Sequence, residues 1–556
     1  MSLGARAALF VRCNQAALWK IAYFVLAALL FAAAAQSRFS LPQDPLEDGD
    51  LGYLWPALMK LNGQGFAHIQ GLNFLYPGMI YLILRTSADF RAILLIQHIL
   101  GLIAGGLFLA TWSRLADFFP RPLLSRVMHE AIGLFGAGIY LLSIVPIWFE
   151  MRIRSDSICV FFEALIFWLI IEFFYYRIIS PNLRKAVVYA IGAAVSAFLL
   201  ASLKPSFTLM ALFSIATVIW LIATIRDSVR TKLTFFGIAV PIVVVLTLTE
   251  HHFRRNDPAV KIFLPATLFV FHAKIIHEQM LVDLEKGETD GYSTEWLARA
   301  CDDLGREIQR TRDLYPQAFP VLGFQAAYVQ YGPDSLLNAW RRKLGDERFV
   351  QFLRYWYWHS LAQRPLPFFA KIVGQLQVFY STDCPAFKAS KSWPLSSWSY
   401  AKSLSMLSQP GWSKLLSKTP AGAAFLERTK ILRSRTVVVH QNKVVRLLQL
   451  CCAKTYLAIL LISVPLAGSF LLKRNGSAEA KWAPFWVLFF YSATFGNVFG
   501  VSAVHSMEVP RYSTILFPAA LFGQFWAIRW LIEVGLANLR ELGRDAASTF
   551  KSGCAE

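Results

Sequence analysis

The sequence predicts an all-α polytopic membrane protein with about ten transmembrane helices, external juxtamembrane helices and a mainly helical external segment. Three observations carry that expectation. First, 56% of the 556 residues are hydrophobic and only 16% are charged, against about 25% charged in an ordinary soluble domain. The mean hydropathy is +0.45. Second, apolar runs of about 20 residues, enough to cross a bilayer, recur along the chain. Third, the basic residues of the short loops fall on alternate turns, as the positive-inside rule requires.

The runs lie at 17–36, 90–113, 128–147, 156–176, 184–203, 206–225, 231–250, 447–472, 482–501 and 511–532. Arg6 and Arg12 precede the first, and Arg114, Arg121 and Arg126 separate the second and third. Arg177, Arg184 and Lys185 follow the fourth, and Arg226, Arg230 and Lys232 the sixth. Lys473, Arg474 and Lys481 follow the eighth, and Arg540 and Arg544 lie in the tail. With ten spans all of these share one side, which the rule makes cytoplasmic. The expectation is a multi-pass protein of the cell inner membrane with both termini cytoplasmic. Residues 1–250 form a seven-span module with an acidic first external loop at 37–89. Residues 251–446 form an external segment of helices and loops, and 447–556 a three-span module.

The segment 251–446 reads as too polar to span. Trp296, Leu297, Cys301 and Leu304 recur at helical spacing within STEWLARACDDLGREIQRTRDLYP. A second amphipathic helix or pair runs from Ser335 to Pro365, with Trp and Tyr suited to the headgroup level. The stretch 378–420, rich in Ser, Pro and Lys, reads as an irregular loop. No internal repeat or heptad run is evident.

The formal net charge is +20. In a membrane protein this excess fixes topology and meets anionic lipid, and no nucleic-acid-binding motif accompanies it, so nucleic acid is not expected as a partner. The 7 cysteines form no CxxC pair, which argues against a zinc or redox site. Cys301 and Cys384 share a compartment and either pair or stay free. The basic N-terminus leads into an apolar run too long for a signal-peptide core, so an uncleaved first span is expected. The histidines at 251, 252, 272 and 277 lack ligand spacing with a carboxylate, and no metal ligands are assigned.

Just after the first span, LEDGDLGYLWPALMKLNGQGF holds Glu47, Asp48 and Asp50 within four residues. Leu51, Leu54, Leu58 and Leu61 mark one face of a short helix. Asp50 stands where a carboxylate caps free N–H groups, and Gly63 and Gly65 end the helix. Capping alone is a sufficient reason for Asp50.

Asp50, Tyr53, Leu54, Ala57, Leu61, Gly63, Gly65 and Phe66, followed by Tyr76 and Pro77, resemble the first external loop of the GT-C superfamily. These are integral-membrane glycosyltransferases that use polyprenyl-phosphate sugars, among them the protein O-mannosyltransferases and lipid A aminoarabinose transferases. The layout of one span, an acidic loop, further spans and a large external segment is also similar. The resemblance implies inverting transfer from a polyprenyl-phosphate sugar to a glycan, lipid or protein acceptor in the envelope, on the outer face of the membrane. A loop carboxylate, Asp50 or Asp48, would take the proton of the attacking hydroxyl. The spacing to Tyr53 favours Asp50.

The family places another acid at the outward start of span four, where Asp156 stands in IWFEMRIRSDSICVFF. Asp156 would position the acceptor or a divalent metal, with Glu150 and the tyrosines Tyr53, Tyr76 and Tyr512 helping to position substrates. Capping of span four is the alternative reason for Asp156. Lys204 in the outward turn SLKPSF, Arg511 beside Tyr512 at the last span, and Arg254 with Arg255 are the cations suited to the donor phosphate. Each is also explained by snorkelling or anchoring at the interface. His98, Glu163 and Glu172 fall inside spans, where ionisable groups are functional suspects. Glu163 stands about two turns below Asp156 on the same helix. The reading from a different class is a transporter or flippase of a lipid-linked or anionic solute. It is disfavoured because most candidate charges cluster on one face. A scaffold would need no carboxylate at all.

Overall fold

The computed structural model describes residues 3–47, 51–66, 73–119, 122–224, 229–255, 258–331, 334–388, 390–473 and 478–553. The chain is 82% helical. Among the described residues its strands are β1 (Ser392–Pro394) and β2 (Val438–His440), paired antiparallel with Trp393 opposite Val439.

The first module runs α1 (Leu3–Phe39), α2 (Leu51–Leu61), α3 (Leu75–Ser87), α4 (Arg91–Leu115), α5 (Arg126–Leu142), α6 (Ile144–Glu150), α7 (Asp156–Phe174), α8 (Leu183–Leu203), α9 (Thr208–Thr224) and α10 (Val229–Arg254). The middle of the chain holds α11 (Pro258–Phe271), α12 (Ala273–Lys286), α13 (Thr294–Leu314), α14 (Ala326–Gln330), α15 (Leu336–Leu344), α16 (Asp346–Gln363), α17 (Pro365–Phe379), α18 (Ala401–Leu407), α19 (Pro410–Leu416) and α20 (Pro420–Ser434). The last part holds α21 (Lys443–Leu472), α22 (Trp482–Val504), α23 (Pro510–Thr514) and α24 (Phe517–Gly553).

Among the described residues, eight helices are long and apolar enough to cross a membrane: α1 over Leu18–Phe39, α4, α7, α8, α9, α10, α21 and α22. Two bent pairs bring the number to as many as 10. One, α5 with α6 at 48°, coincides with the expected third span. Ser143 makes the break, capping α6 through the Val145 N–H.

The other pair is α11 with α12, bent by 81°, in a stretch read as too polar to span. Conversely, the expected last span, 511–532, is not among the eight. Gln524, Arg529 and Glu533 lower its apolarity, yet Gln524 and Arg529 are almost fully buried. Gln524 donates to Cys452 O and Thr455 Oγ1, and Arg529 to Glu533 at 2.5 Å. The first half of α24 packs among α5, α21 and α22. Its polar side chains meet protein rather than lipid, so it need not be uniformly apolar.

Segment 251–446 contributes to more than one core. Helices α11 to α16 share their own cluster, centred on Phe269, Ile276, Leu297, Leu304, Phe352 and Trp356. Leu297, Cys301 and Leu304 of α13 point into it, as their spacing requires. The second amphipathic piece breaks into α15 and α16 at Gly345 (φ 74). By contrast, the stretch expected to be irregular joins the membrane bundle. Pro410 and Pro420 open α19 and α20 from their first helical positions, where proline suits a helix start. Leu407, Trp412, Leu416 and Phe425 then bury against the spans. Cys301 and Cys384 lie in these different cores and both are free thiols.

Candidate functional site

The acidic loop after α1 is sewn onto the chain just before α7. Leu46 and Arg152 form a parallel bridge: Leu46 N–H donates to Met151 O at 2.7 Å, and Ile153 N–H to Leu46 O at 2.9 Å. Glu47 N–H donates to Ser403 Oγ at 3.0 Å, and Glu47 is fully buried. Tyr400 O–H donates to Asp44 O at 2.7 Å, and Arg428 Nε to Asp44 Oδ1 at 2.6 Å. Asp48 and Asp50 lie outside the described residues. Helix α2 resumes at Leu51, with Leu54 and Leu58 buried on the expected face. It ends where Gly63 and Gly65 take φ of 79° and 77°, which glycine adopts without strain. Tyr53 meets Tyr76 edge to face at 5.1 Å.

Asp156 opens α7 beside this loop. It forms a buried ion pair with Lys204, so the start of α7 and the end of α8 meet there. Lys204 is held extended after α8 by the Pro205 turn (φ −150, ψ 106). Its Nζ lies 4.8 Å from the centre of the Tyr512 ring, and Arg511 Cζ lies 5.1 Å from it. Arg511 and Arg154 add positive charge close to Asp156. Ser155 Oγ donates to Tyr53 Oη at 3.3 Å. The structure therefore gathers Asp156, Lys204, Arg511, Tyr512 and Tyr53 at one end of the bundle. Tyr76 borders this group, with burial pushing its phenol well above the usual range and Asp156 and Glu47 adding to the rise. The His505 ring packs tilted against Tyr512, with the ring centres 4.6 Å apart. Burial, then Arg511 and Lys371, hold its imidazole well below the usual range, so it is neutral at pH 7.

Glu150 does not join this group. Its carboxylate is gripped by Arg38 through Nε and Nη2 at 2.8 and 2.9 Å, and by His98 Nδ1 at 2.8 Å. Arg38 also donates to Ala34 O and Leu141 O. The arginine at the end of α1 thus claims the acid that the sequence offers for substrate positioning. Arg254 and Arg255 also stand apart from Lys204 and Arg511, lining a cavity of about 680 Å³ between α8, α10 and α11. Glu172 pairs with Arg114 at 2.7 Å. Glu163 is 1% exposed, and neither carboxylate oxygen has a hydrogen-bond partner. Lys204 is the charged group that acts on it.

For a metal, the described residues bring three ligand atoms together only at Asp283, Glu288 and His359, all within 4.8 Å of one another. Asp156 belongs to no such grouping among them. The Asp283 oxygens are already engaged by Gln279 and His359.

Ser403, Tyr400 and Arg428, which pin the acidic loop from about 350 residues away in sequence, carry no signal in the sequence beyond their side-chain types. No family model, curated protein or solved structure matches the chain.

Proposed function

We propose that this multi-pass protein is an inverting glycosyltransferase that takes a sugar from a polyprenyl phosphate and passes it to an envelope acceptor. In this reading it lies in the cell inner membrane, with the Asp156 end of the bundle facing outward and the termini in the cytoplasm. The single observation that carries the reading is the meeting of the acidic first loop, through the Leu46–Arg152 bridge, with Asp156, Lys204, Arg511 and Tyr512. It pairs a source of carboxylates with cations suited to a phosphate.

The acceptor hydroxyl oxygen attacks the anomeric carbon from the face opposite the phosphate. The bond from that carbon to the phosphate oxygen breaks, and its electron pair stays on the phosphate. The hydroxyl proton passes to a loop carboxylate, Asp50 or Asp48, a step that contributes about 10²–10⁴-fold. Lys204 and Arg511 neutralise the phosphate as charge grows. Asp156 holds Lys204 in place until the phosphate competes for it. Tyr53 and Tyr512 border the same group of side chains and would contact the sugar.

The test is mass spectrometry of envelope glycans from cells with the wild-type protein, without it, and with Asp50→Asn or Asp48→Asn. A sugar that disappears without the protein and in at least one variant, at normal protein level, is the expected result. Full transfer by both variants overturns the base assignment, and an unchanged glycan profile without the protein overturns the enzyme reading. One observation favours the transporter reading instead: Glu163 sits unbonded inside a span, where such groups mark ion or solute paths. That reading expects solute movement that survives Asp50→Asn and is lost in Glu163→Gln.

A further inference from the structure

Two cationic centres adjoin the end of α8. Lys204 turns toward Asp156. Ser202, two residues earlier, lines the 680 Å³ cavity, which Lys204 does not. We propose that this cavity is a binding site for the phosphate-ester headgroup of an anionic membrane lipid, separate from the Asp156–Lys204 centre. It does not depend on the transfer chemistry.

The cavity is positive and already framed. Arg254, Arg255, Lys261 and His251 line it, with Glu250 as the one carboxylate among the described lining residues. That carboxylate is occupied by the framework. It accepts from the Phe74 N–H and from Ser202 Oγ, and Arg254 Nε approaches it at 3.9 Å. Asn73 ties the frame together, donating to Ser202 O and accepting from Arg254 Nη1 at 2.5 Å. Arg255 and Lys261 form no ion pair with a carboxylate among the described residues. Their charge is left for a ligand, and Arg presents the planar fork that suits phosphate.

The walls fit an amphiphile better than a free ion. Phe198, Ala201 and Val260 supply apolar surface beside the cations. A second open cavity of about 540 Å³ lies along α10, sharing His251 and Arg255 and lined by Val245, Leu248 and Phe253. Only 11% of the most apolar window of α10 is buried, and Val245 and Leu248 are each 61% exposed. An acyl chain can therefore lie on α10 while the headgroup reaches Arg255. Basic residues at any interface attract anionic lipid through the surface field. A framed cavity of this size adds saturation and position dependence to that attraction.

The test uses the full-length protein in phosphatidylcholine nanodiscs, titrated with phosphatidic acid and read by native mass spectrometry. Arg255 and Lys261 are exposed, so Arg255→Gln with Lys261→Gln leaves the fold intact, which an unchanged thermal midpoint checks. The double variant is expected to lose about 10-fold or more in phosphatidic acid affinity. Lys204→Gln is expected to stay within about twofold. Val260→Asp, which puts a carboxylate on the wall, is an independent variant expected to weaken binding as strongly as the double variant. Inorganic phosphate is expected to displace the lipid only weakly. The proposal is overturned if the double variant and Val260→Asp both bind like wild type. It is equally overturned if Lys204→Gln loses as much, or if inorganic phosphate displaces the lipid completely, which would make the ligand a free anion. Because no transfer is measured, failure here is distinct from failure of the glycosyltransferase reading.

Discussion

Two buried acids lie six residues apart in the chain, Glu150 and Asp156, and the molecule treats them differently. Glu150 is closed on every side, with a two-pronged arginine, a histidine, and a glycine face so near that a methyl on Gly101 would strike its carboxylate. Asp156 has one lysine for its ion pair, with Arg511 and Arg154 near, at the end where the acidic loop and Tyr512 gather. A carboxylate with all its lone pairs spoken for in a fixed fork is a structural bond. One paired to a single lysine, with further cations close by, can exchange partners when an anion arrives. Burial alone does not separate the two, since both are almost fully covered.

The sharpest way to break the contrast is at Arg38. Arg38→Met leaves the Glu150 charge buried without its main partner, which typically costs about 3–5 kcal/mol. The expected outcome is a large drop in folded protein in detergent, followed by size-exclusion chromatography and thermal unfolding. Arg38→Met with Glu150→Met should recover most of that loss, because the pair is then replaced by apolar packing. If Arg38→Met accumulates and melts like wild type, Glu150 is not the structural member of the two.

Next in size is Asp156→Asn. The amide still accepts from Lys204, and Lys204 still faces Glu163, so the expected stability loss is only about 1–2 kcal/mol. If the proposed chemistry holds, transfer falls by about 10²-fold. A variant that melts as badly as Arg38→Met would place Asp156 in the same structural class as Glu150.

Lys371 extends the comparison to a buried cation that no carboxylate holds among the described residues. Its Nζ donates to Ser502 O and His505 O at the end of α22, both at 2.7 Å. Its nearest acid, Glu508, is taken by the N–H groups of Val321 and Leu322 and by Gln375. The imidazoles of His272 and His505 also face it. Burial pulls its ammonium down to about 7, with Glu508 opposing. Above pH 7 the folded state has released a proton that the unfolded chain keeps until about 10.4. The unfolded state then binds more protons, so stability rises with pH over that window. The expected gain is about 1–2 kcal/mol between pH 7 and 8.5. It should be visible as a rising thermal midpoint and absent from Lys371→Met. A midpoint flat in pH for wild type would mean the two carbonyls keep the ammonium charged.

Much of this was legible in residue order. Eight of the expected spans match single helices and a ninth matches the α5–α6 pair in place, because continuous apolarity is a local property. The face of α2, the glycines that end it and the inward row of α13 also followed from spacing. What escaped was set by partners distant in the chain. Nothing near Glu150 in sequence indicates that Arg38 will take it, and nothing near Asp44 points to Arg428. The inward polar groups of α24 lowered its apolarity while tertiary contacts satisfied them. The prolines of 378–420 read as loop formers, but two of them start helices. The convergence of Asp156, Lys204 and Arg511 was anticipated from their shared side of the topology. Their separation from Arg254 and Arg255 was not, because side gives depth and not direction around a helix.

The smallest expected effect tests the comparison from a third acid. Glu163 is as buried as Glu150 and stands on the same helix as Asp156, yet its oxygens make no hydrogen bond. A carboxyl group left so in a bundle interior is a cost to folding, whether it stays charged or takes up a proton to avoid charge. Glu163→Gln has nearly the same shape and removes the charged state altogether. If Glu163 has no other role, this change should raise the thermal midpoint by the equivalent of about 1 kcal/mol, the scale of one removed polar liability. It should also leave the proposed transfer intact. A Glu163→Gln protein that gains no stability and loses transfer would instead mean that Lys204 is shared between Glu163 and Asp156 during the reaction. That centre would then hold two acids rather than one.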